Sequence, residues 1–153
     1  KKKPYLIPRD GKKLDASSYV SLEDILLNLS KLSVLENINS ITIYLDVKYI
    51  NFEESIENYK YPELSKKLCL LASSSSKETS IEIDDMRHSV FSYFLMKGLK
   101  GDAHGDDKIL EIGELAEYLY RKVPDYTKNL DNGVSQNPEF IGSDLKRILI
   151  DLR

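Results

Sequence analysis

Two short, uninterrupted apolar runs constrain the fold more than any other feature of the sequence. They cover residues 41–46 (ITIYLD) and 68–72 (LCLLA), and both are too short to be core helices. A third run, residues 148–152, predicts another strand. Apolar runs that do not alternate with polar residues are typical of strands covered on both faces, as in a parallel sheet.

Amphipathic segments around these runs predict three helices. The first begins near Ser21, whose hydroxyl can cap it, with Asp24 three residues later as the partner in a capping-box pattern. The other two cover about residues 86–99 and 112–122, and Pro124 is expected to end the last one. Because strands and helices alternate, the sequence predicts the α/β class.

The strands found are too few to complete such a sheet. A sheet of three buried strands would leave an apolar edge open, so we expect further strands of the same domain upstream of Lys1. The sequence shows no initiating Met and no signal peptide at its start, so we expect a processed or engineered fragment. Residues 125–144 are rich in Asn, Asp, Gly and Pro and predict a long surface loop.

Composition excludes several classes of partner. A net charge of -3 provides no attraction to nucleic acid or to anionic lipid, and no apolar stretch reaches the ~20 residues that a membrane span requires. The single cysteine, Cys69, rules out an internal disulfide and fits a reducing compartment, so we expect a cytoplasmic location.

Several motifs follow one another in an order that resembles caspase-like cysteine peptidases, in particular their metacaspase-like prokaryotic branch. RHSVFSYFLMKGLKG is similar to that family's HGVFTYYLLEGLKG, GDDKILEIGELAEYLYRKVP to DGDGxVTxxELxxYVxxxVP, and VSQNPEFIG to QTPxxxG. Shorter similarities lie in YLIPRDG, ITIYLDV and LLASSSS. The resemblance implies a three-layer caspase-like sandwich, in which helices flank a mostly parallel sheet. Residues 1–153 would be the C-terminal part of that single domain, which is incomplete at its N-terminus.

The resemblance places Lys48 at the position of the catalytic cysteine. The family's nucleophile follows a Leu-Asp-x motif, which here reads Leu45-Asp46-Val47. An ammonium cannot replace a thiolate in acyl transfer unless it is first deprotonated. We interpret Lys48 as a solvated residue at a strand end; a lysine nucleophile is the alternative.

No other residue supplies the missing chemistry. Cys69 lies inside an apolar run and is expected to be core filler. The family's general base belongs to a segment upstream of this chain, whereas His88 is expected to make a local hydrogen bond and His104 to be exposed in a polar loop. The sequence therefore assigns no catalytic residue.

Three residues are candidates for substrate binding. In basic-specific relatives the Asp two residues before the nucleophile helps to bind an Arg or Lys side chain, and the resemblance carries this role onto Asp46. Strand alternation places Asp46 and Lys48 on one face, so internal pairing or solvation of Asp46 is the favoured interpretation and ligand binding the alternative. Ser73 and Ser74, which follow the next strand, could border the same cleft, although serines at strand ends usually just satisfy turns.

The acidic loop from Asp102 to Glu114 does not satisfy a calcium-binding pattern. Placing Glu114 at the twelfth position puts Lys108 at the sixth, where Gly is required, and starting from Asp102 puts Gly113 at the twelfth. We interpret the loop as an acidic turn before a helix. No metal or cofactor is predicted.

The main hypothesis is a catalytically degenerate caspase-like domain that acts as a binding or regulatory module. Its partner would be a protein or peptide, with the upstream part of the same domain or a second chain also in contact. The alternative is part of an active cysteine endopeptidase whose Cys and His come from another segment or chain. A third interpretation is a generic α/β domain with chance similarity.

Overall fold

The computed structural model describes residues 5–7, 12, 15–47, 66–75, 78–83, 87–130, 134–151 and 153. They belong to two compact units: residues 1–41 with 51–68, and residues 42–50 with 69–153. None of the helices in these described ranges is both long and apolar enough to span a membrane.

The described part of the first unit includes a small hairpin and helix α1. Strand β1 (Tyr5–Leu6) pairs antiparallel with β2 (Val20–Ser21), a short 3-10 helix covers Ala16–Ser18, and helix α1 covers Leu22–Ser33. The Ser21 hydroxyl accepts the backbone N–H of Asp24 at 3.3 Å. This bond confirms the predicted cap, because it satisfies one of the free N–H groups at the start of the helix.

The remaining described elements include both strands and helices. In chain order they are β3 (Ile41–Leu45), β4 (Leu68–Ala72), β5 (Glu82–Ile83), β6 (His88–Ser89), α2 (Val90–Lys97), β7 (Ile109–Glu111), α3 (Ile112–Lys128), β8 (Glu139–Ile141) and β9 (Ile148–Asp151). The predicted mixture of α-helices and β-strands is confirmed, and so are strands at the three apolar runs.

The predicted mostly parallel sheet is not found in the described part of the chain. The largest sheet has the order β3-β4-β8, and β8 runs antiparallel to β4, with Leu71 opposite Phe140. The pairs β5–β6 and β7–β9 are also antiparallel. All five residues of β4 are buried in the middle of its sheet. The continuous apolar run correctly indicated that both faces of β4 are buried. Burial alone does not determine whether the neighbouring strands run parallel or antiparallel.

The segment predicted to be a long surface loop is structured over much of its length. Residues 125–128 continue α3, and β8 supplies one edge of the three-stranded sheet. Between them, Gln136 and Pro138 are buried. Polar and turn-forming residues suggested a loop, but tertiary contacts place this segment against the core.

Pro124 lies inside α3, so the prediction that it ends the helix is wrong. Proline lacks the N–H of a helical hydrogen bond, and its ring crowds the preceding turn. The following turn is held by Thr127, whose hydroxyl donates to the Pro124 carbonyl at 3.3 Å and accepts the backbone N–H of Gln136 at 3.0 Å. These bonds and the burial of Pro124 and Thr127 offset the local cost of the proline.

The core of the second unit lies where α2 and α3 pack on each other and on β4. Its members are apolar side chains with little or no solvent exposure, namely Cys69, Leu71, Val90, Phe91, Leu95, Leu110, Ile112, Leu115, Ala116, Tyr118, Leu119 and Val123. After α2 the backbone widens into a π-helical turn, Gly98–Asp102, in which Gly101 has a φ of 126°. This turn therefore includes one position, Gly101, whose backbone conformation favours glycine.

The start of α3 is held by the segment that precedes β9. The N–H of Ile112 donates to the carbonyl of Arg147, and the N–H of Gly113 donates to the carbonyl of Leu145, both at 2.9 Å. These bonds satisfy two N–H groups that a helix start leaves free. A Cβ atom at Gly113 would lie 2.8 Å from the backbone oxygen of Leu145, so the close approach depends on glycine.

We expect Gly113→Ala to lower the free energy of unfolding by about 1–3 kcal/mol, because a backbone atom cannot move away as a flexible side chain can. This loss should exceed the helix-propensity gain of about 1 kcal/mol that alanine brings. Urea unfolding followed by circular dichroism measures the difference.

The matched control is Gly105→Ala, whose Cβ would meet Glu114 Oε1 at an ordinary 3.5 Å. This variant should stay within about 0.5 kcal/mol of the parent. Equal stability of the Gly113 and Gly105 variants would contradict the proposed close contact.

Candidate functional site at the strand ends

Asp46, directly after β3, carries the most elaborate side-chain hydrogen bonding in the described part of the chain. Its Oδ1 accepts the hydroxyl of Ser80 at 2.7 Å, and its Oδ2 accepts the hydroxyls of Ser92, at 2.5 Å, and of Ser89. We call these four residues the serine–carboxylate cluster. Its geometry fixes both oxygens of the carboxylate.

Local structure explains why these hydroxyls converge. Ser80 is buried in the segment before β5, and Ser89 ends β6 and caps α2. The Ser89 oxygen accepts the N–H of Ser92 at 3.0 Å while its own proton points to Asp46. The carboxylate therefore lies beside the first turn of α2, where the partial positive charge of the helix end favours an anion.

The cluster orients the carboxylate without neutralising it. Serine hydroxyls are neutral donors, and within the described residues no Lys or Arg forms an ion pair with Asp46. An ionised carboxylate offers about four lone-pair positions, of which three are used here. Asp46 is also exposed to solvent. It can therefore accept a further hydrogen bond from a cation outside the described structure.

Lys48, the residue predicted to replace the nucleophile, lies outside the described residues. The same holds for the expected pairing of Asp46 with Lys48. Both statements remain predictions from the sequence.

Ser73 holds the backbone around Asp46. Its N–H donates to the carbonyl of Leu45 at 2.8 Å, so the carboxyl ends of β3 and β4 meet. The Ser73 hydroxyl donates to the Val47 carbonyl at 3.2 Å and accepts the Val47 N–H at 3.3 Å. Ser73 is fully buried, which suits a backbone-fixing role more than direct ligand contact.

Ser74, the third predicted binding residue, differs from Ser73. Its side chain is 5% exposed, and its hydroxyl has no hydrogen-bond partner among the described residues. A buried hydroxyl without a partner is uncommon in a native structure. Its contacts do not connect it to the Asp46 carboxylate.

Gln136 is a buried member of the site that the sequence did not reveal. Its Nε2 donates to the carbonyl of Ser73 at 2.7 Å, and its Oε1 accepts the N–H of Ile81 at 2.9 Å. The motif VSQNPEFIG contains this residue, but its composition suggested a loop. The cluster serines Ser80, Ser89 and Ser92 were also missed, because nothing in their spacing distinguishes them from ordinary surface serines.

The only thiol of the chain is sequestered. Cys69 is fully buried in the core, as predicted, and its Sγ donates to the Asp144 carbonyl at 3.8 Å. Burial raises the pKa of the Cys69 thiol, which disfavours the nucleophilic thiolate. His88 is exposed on β6, and His104 is half-buried, with Nδ1 at 2.8 Å from the Gly105 carbonyl.

The acidic loop before α3 uses its carboxylates locally. Glu114 Oε2 accepts the N–H of Glu111 at 2.9 Å in a capping box, and Asp107 Oδ1 accepts the N–H of Ile109 at 3.1 Å. These contacts agree with an acidic turn before a helix. Within the described ranges, no group of three or more His, Cys, Asp or Glu side chains is placed to hold a metal ion.

No protein-family model, no curated protein and no solved structure matches the chain.

We expect the Cys69 thiol to react with a disulfide reagent at neutral pH at least about a hundredfold more slowly in the folded protein than in concentrated guanidinium chloride, because access requires local opening. Absorbance of the released aromatic thiolate measures both rates. Equal rates in the two states would show that the thiol is accessible and would contradict its burial.

Proposed function

We propose that this chain is a catalytically inactive caspase-like domain that acts as a peptide-binding or regulatory module. In this proposal Lys48 stands in place of the nucleophile, and Asp46 receives an Arg or Lys side chain of a protein or peptide partner. The observation that carries the proposal is the Asp46 carboxylate, which is exposed and is held by three neutral hydroxyl donors.

Electrostatics favour a cation as the ligand of this site. A carboxylate that is already oriented loses little conformational entropy when it accepts a charged donor. A guanidinium or ammonium that donates to the free lone-pair position of Oδ1 would form a charge-assisted hydrogen bond, the stronger class of such bonds. The hydroxyls of Ser80, Ser89 and Ser92 would keep the carboxylate in place during binding.

The absence of a usable thiol supports the lack of catalysis. Cys69 is the only cysteine of the chain and is fully buried, with a raised pKa. A cysteine peptidase needs an accessible thiolate beside a proton-transferring histidine. His88 lies exposed on β6, whereas Cys69 lies in the interior of the β3-β4-β8 sheet.

The proposal includes a caspase-like three-layer sandwich as the complete fold. Its support is the order of the motifs along the chain and the position of Asp46 at the carboxyl end of β3, beside the end of β4. Ligands of open α/β sheets commonly bind at this end of the strands.

Short acetylated and amidated peptides with a central Arg, Lys or citrulline test the ligand class. Citrulline has nearly the shape of Arg but no charge, so we expect at least about tenfold weaker binding for the citrulline peptide. Amide NMR shifts of Asp46, Ser89 and Ser92 measure the affinity. Equal affinity for the Arg and citrulline peptides would contradict recognition of a cation.

Asp46→Asn should weaken binding of the Arg peptide by about tenfold or more, because the side chain keeps its size but loses its charge. Glu117→Gln is the matched control: it removes one negative charge from an exposed position of α3. The control should bind as the parent does. An equal loss of affinity in both variants would show that only the net charge of the protein matters, and it would contradict the proposed site.

Fluorogenic peptides that end in Arg, Lys or Asp test the absence of catalysis. We expect no turnover above the blank, since the one thiol is buried. Turnover that disappears in Cys69→Ala would overturn the proposal. Thiol-directed peptide inhibitors that label a longer form of the protein would support the alternative, in which Cys and His come from another segment or chain.

A further inference from the structure

We infer that Gln136 is a positioning residue that sets the place of the Asp46 carboxylate through two separate routes. This inference rests on the proposed function of Asp46 as the ligand-binding group. Gln136 does not touch the carboxylate. It fixes the backbone next to Asp46, and it also fixes the backbone that carries two of the serines that donate to the carboxylate.

The first route leads from Gln136 through the strand ends. Gln136 Nε2 donates to the carbonyl of Ser73 at 2.7 Å. The Ser73 hydroxyl in turn contacts both the N–H and the carbonyl of Val47, at 3.3 and 3.2 Å. Val47 is the neighbour of Asp46, so this route holds the backbone from which the carboxylate projects.

The second route leads to the serine donors. Gln136 Oε1 accepts the N–H of Ile81 at 2.9 Å, and the carbonyl of Ile81 accepts the N–H of Val90 at the same distance. Ser80 directly precedes Ile81, and Ser89 directly precedes Val90. Fixing Ile81 therefore fixes the spacing between two of the hydroxyls that donate to Asp46.

Gln136 is itself held firmly. Its side chain is fully buried, and its backbone N–H donates to the hydroxyl of Thr127 at 3.0 Å. The amide group is suited to both routes because it offers a donor, Nε2–H, and an acceptor, Oε1, on the same carbon. Glutamate would keep the acceptor but lose the donor, and methionine would keep the volume but lose both.

Gln136→Met is the first test, with Thr127→Val as the matched control. Thr127→Val removes the anchor on α3 but leaves both side-chain bonds of Gln136 intact. We expect Gln136→Met to shift the carboxyl carbon NMR resonance of Asp46 and to weaken Arg-peptide binding by about tenfold. Thr127→Val should lower thermal stability while leaving that resonance and the affinity close to those of the parent.

A double-mutant cycle separates positioning from general damage. In an Asp46→Asn background, Gln136→Met should cause no further loss of Arg-peptide affinity, because its effect passes through the missing carboxylate. An additive loss would overturn the inference. So would an unchanged Asp46 carboxyl resonance in folded Gln136→Met.

Two further measurements distinguish a failure of the proposed function from a failure of the role inferred for Gln136. If the parent binds no Arg peptide, the proposed function fails, yet the Asp46 carboxyl resonance of the unliganded variants still decides whether Gln136 positions that group. If Gln136→Met does not fold, Gln136→Glu replaces it. This variant should disturb the amide resonance of Val47 more than that of Ser80, and the reverse order would overturn the inference.

Discussion

The hydrogen bonds between the Asp46 carboxylate and three serine hydroxyls join parts of the chain that are far apart in sequence. They connect the end of β3 with the segment before β5 and with the first turn of α2. Neutral donors perform this task without removing the negative charge. The same contacts can therefore stabilise the second unit and leave an oriented anion facing solvent, which is the combination that a cation-binding site requires.

Local patterns allowed the individual elements to be predicted. The cap at Ser21, the strand at residues 41–46 and the buried run at residues 68–72 all depend on residues close in sequence, and all are present in the structure with small changes of boundary. Burial of Cys69 followed from its apolar neighbours in the same way. Periodicity and capping are local signals, and the sequence displays them directly.

What depends on distant contacts could not be predicted. β8 lies in a segment that looks like a loop, and it became a strand because it pairs with β4. The helix continues past Pro124, and in the following turn Thr127 accepts the N–H of Gln136, nine residues away. The expected parallel direction failed for the pair β4–β8, because an apolar run indicates burial but not which strands will be its neighbours. Asp46 was identified only through the resemblance. Ser89, Ser92 and Gln136 lie within motifs quoted for that resemblance, but neither composition nor spacing marks them as parts of a site.

The position of Gln136 shows how buried polar groups can define a site as well as a fold. An unsatisfied buried amide costs roughly 1–3 kcal/mol, so the donor and acceptor of Gln136 both favour the arrangement in which Ser73 and Ile81 are correctly placed. That arrangement brings together the backbone of Val47 and the hydroxyls of Ser80 and Ser89. The same hydrogen bonds of Gln136 therefore stabilise the core and orient the Asp46 carboxylate. A site built by such bonds does not depend on a nucleophile to keep its shape, which is compatible with the proposed binding role.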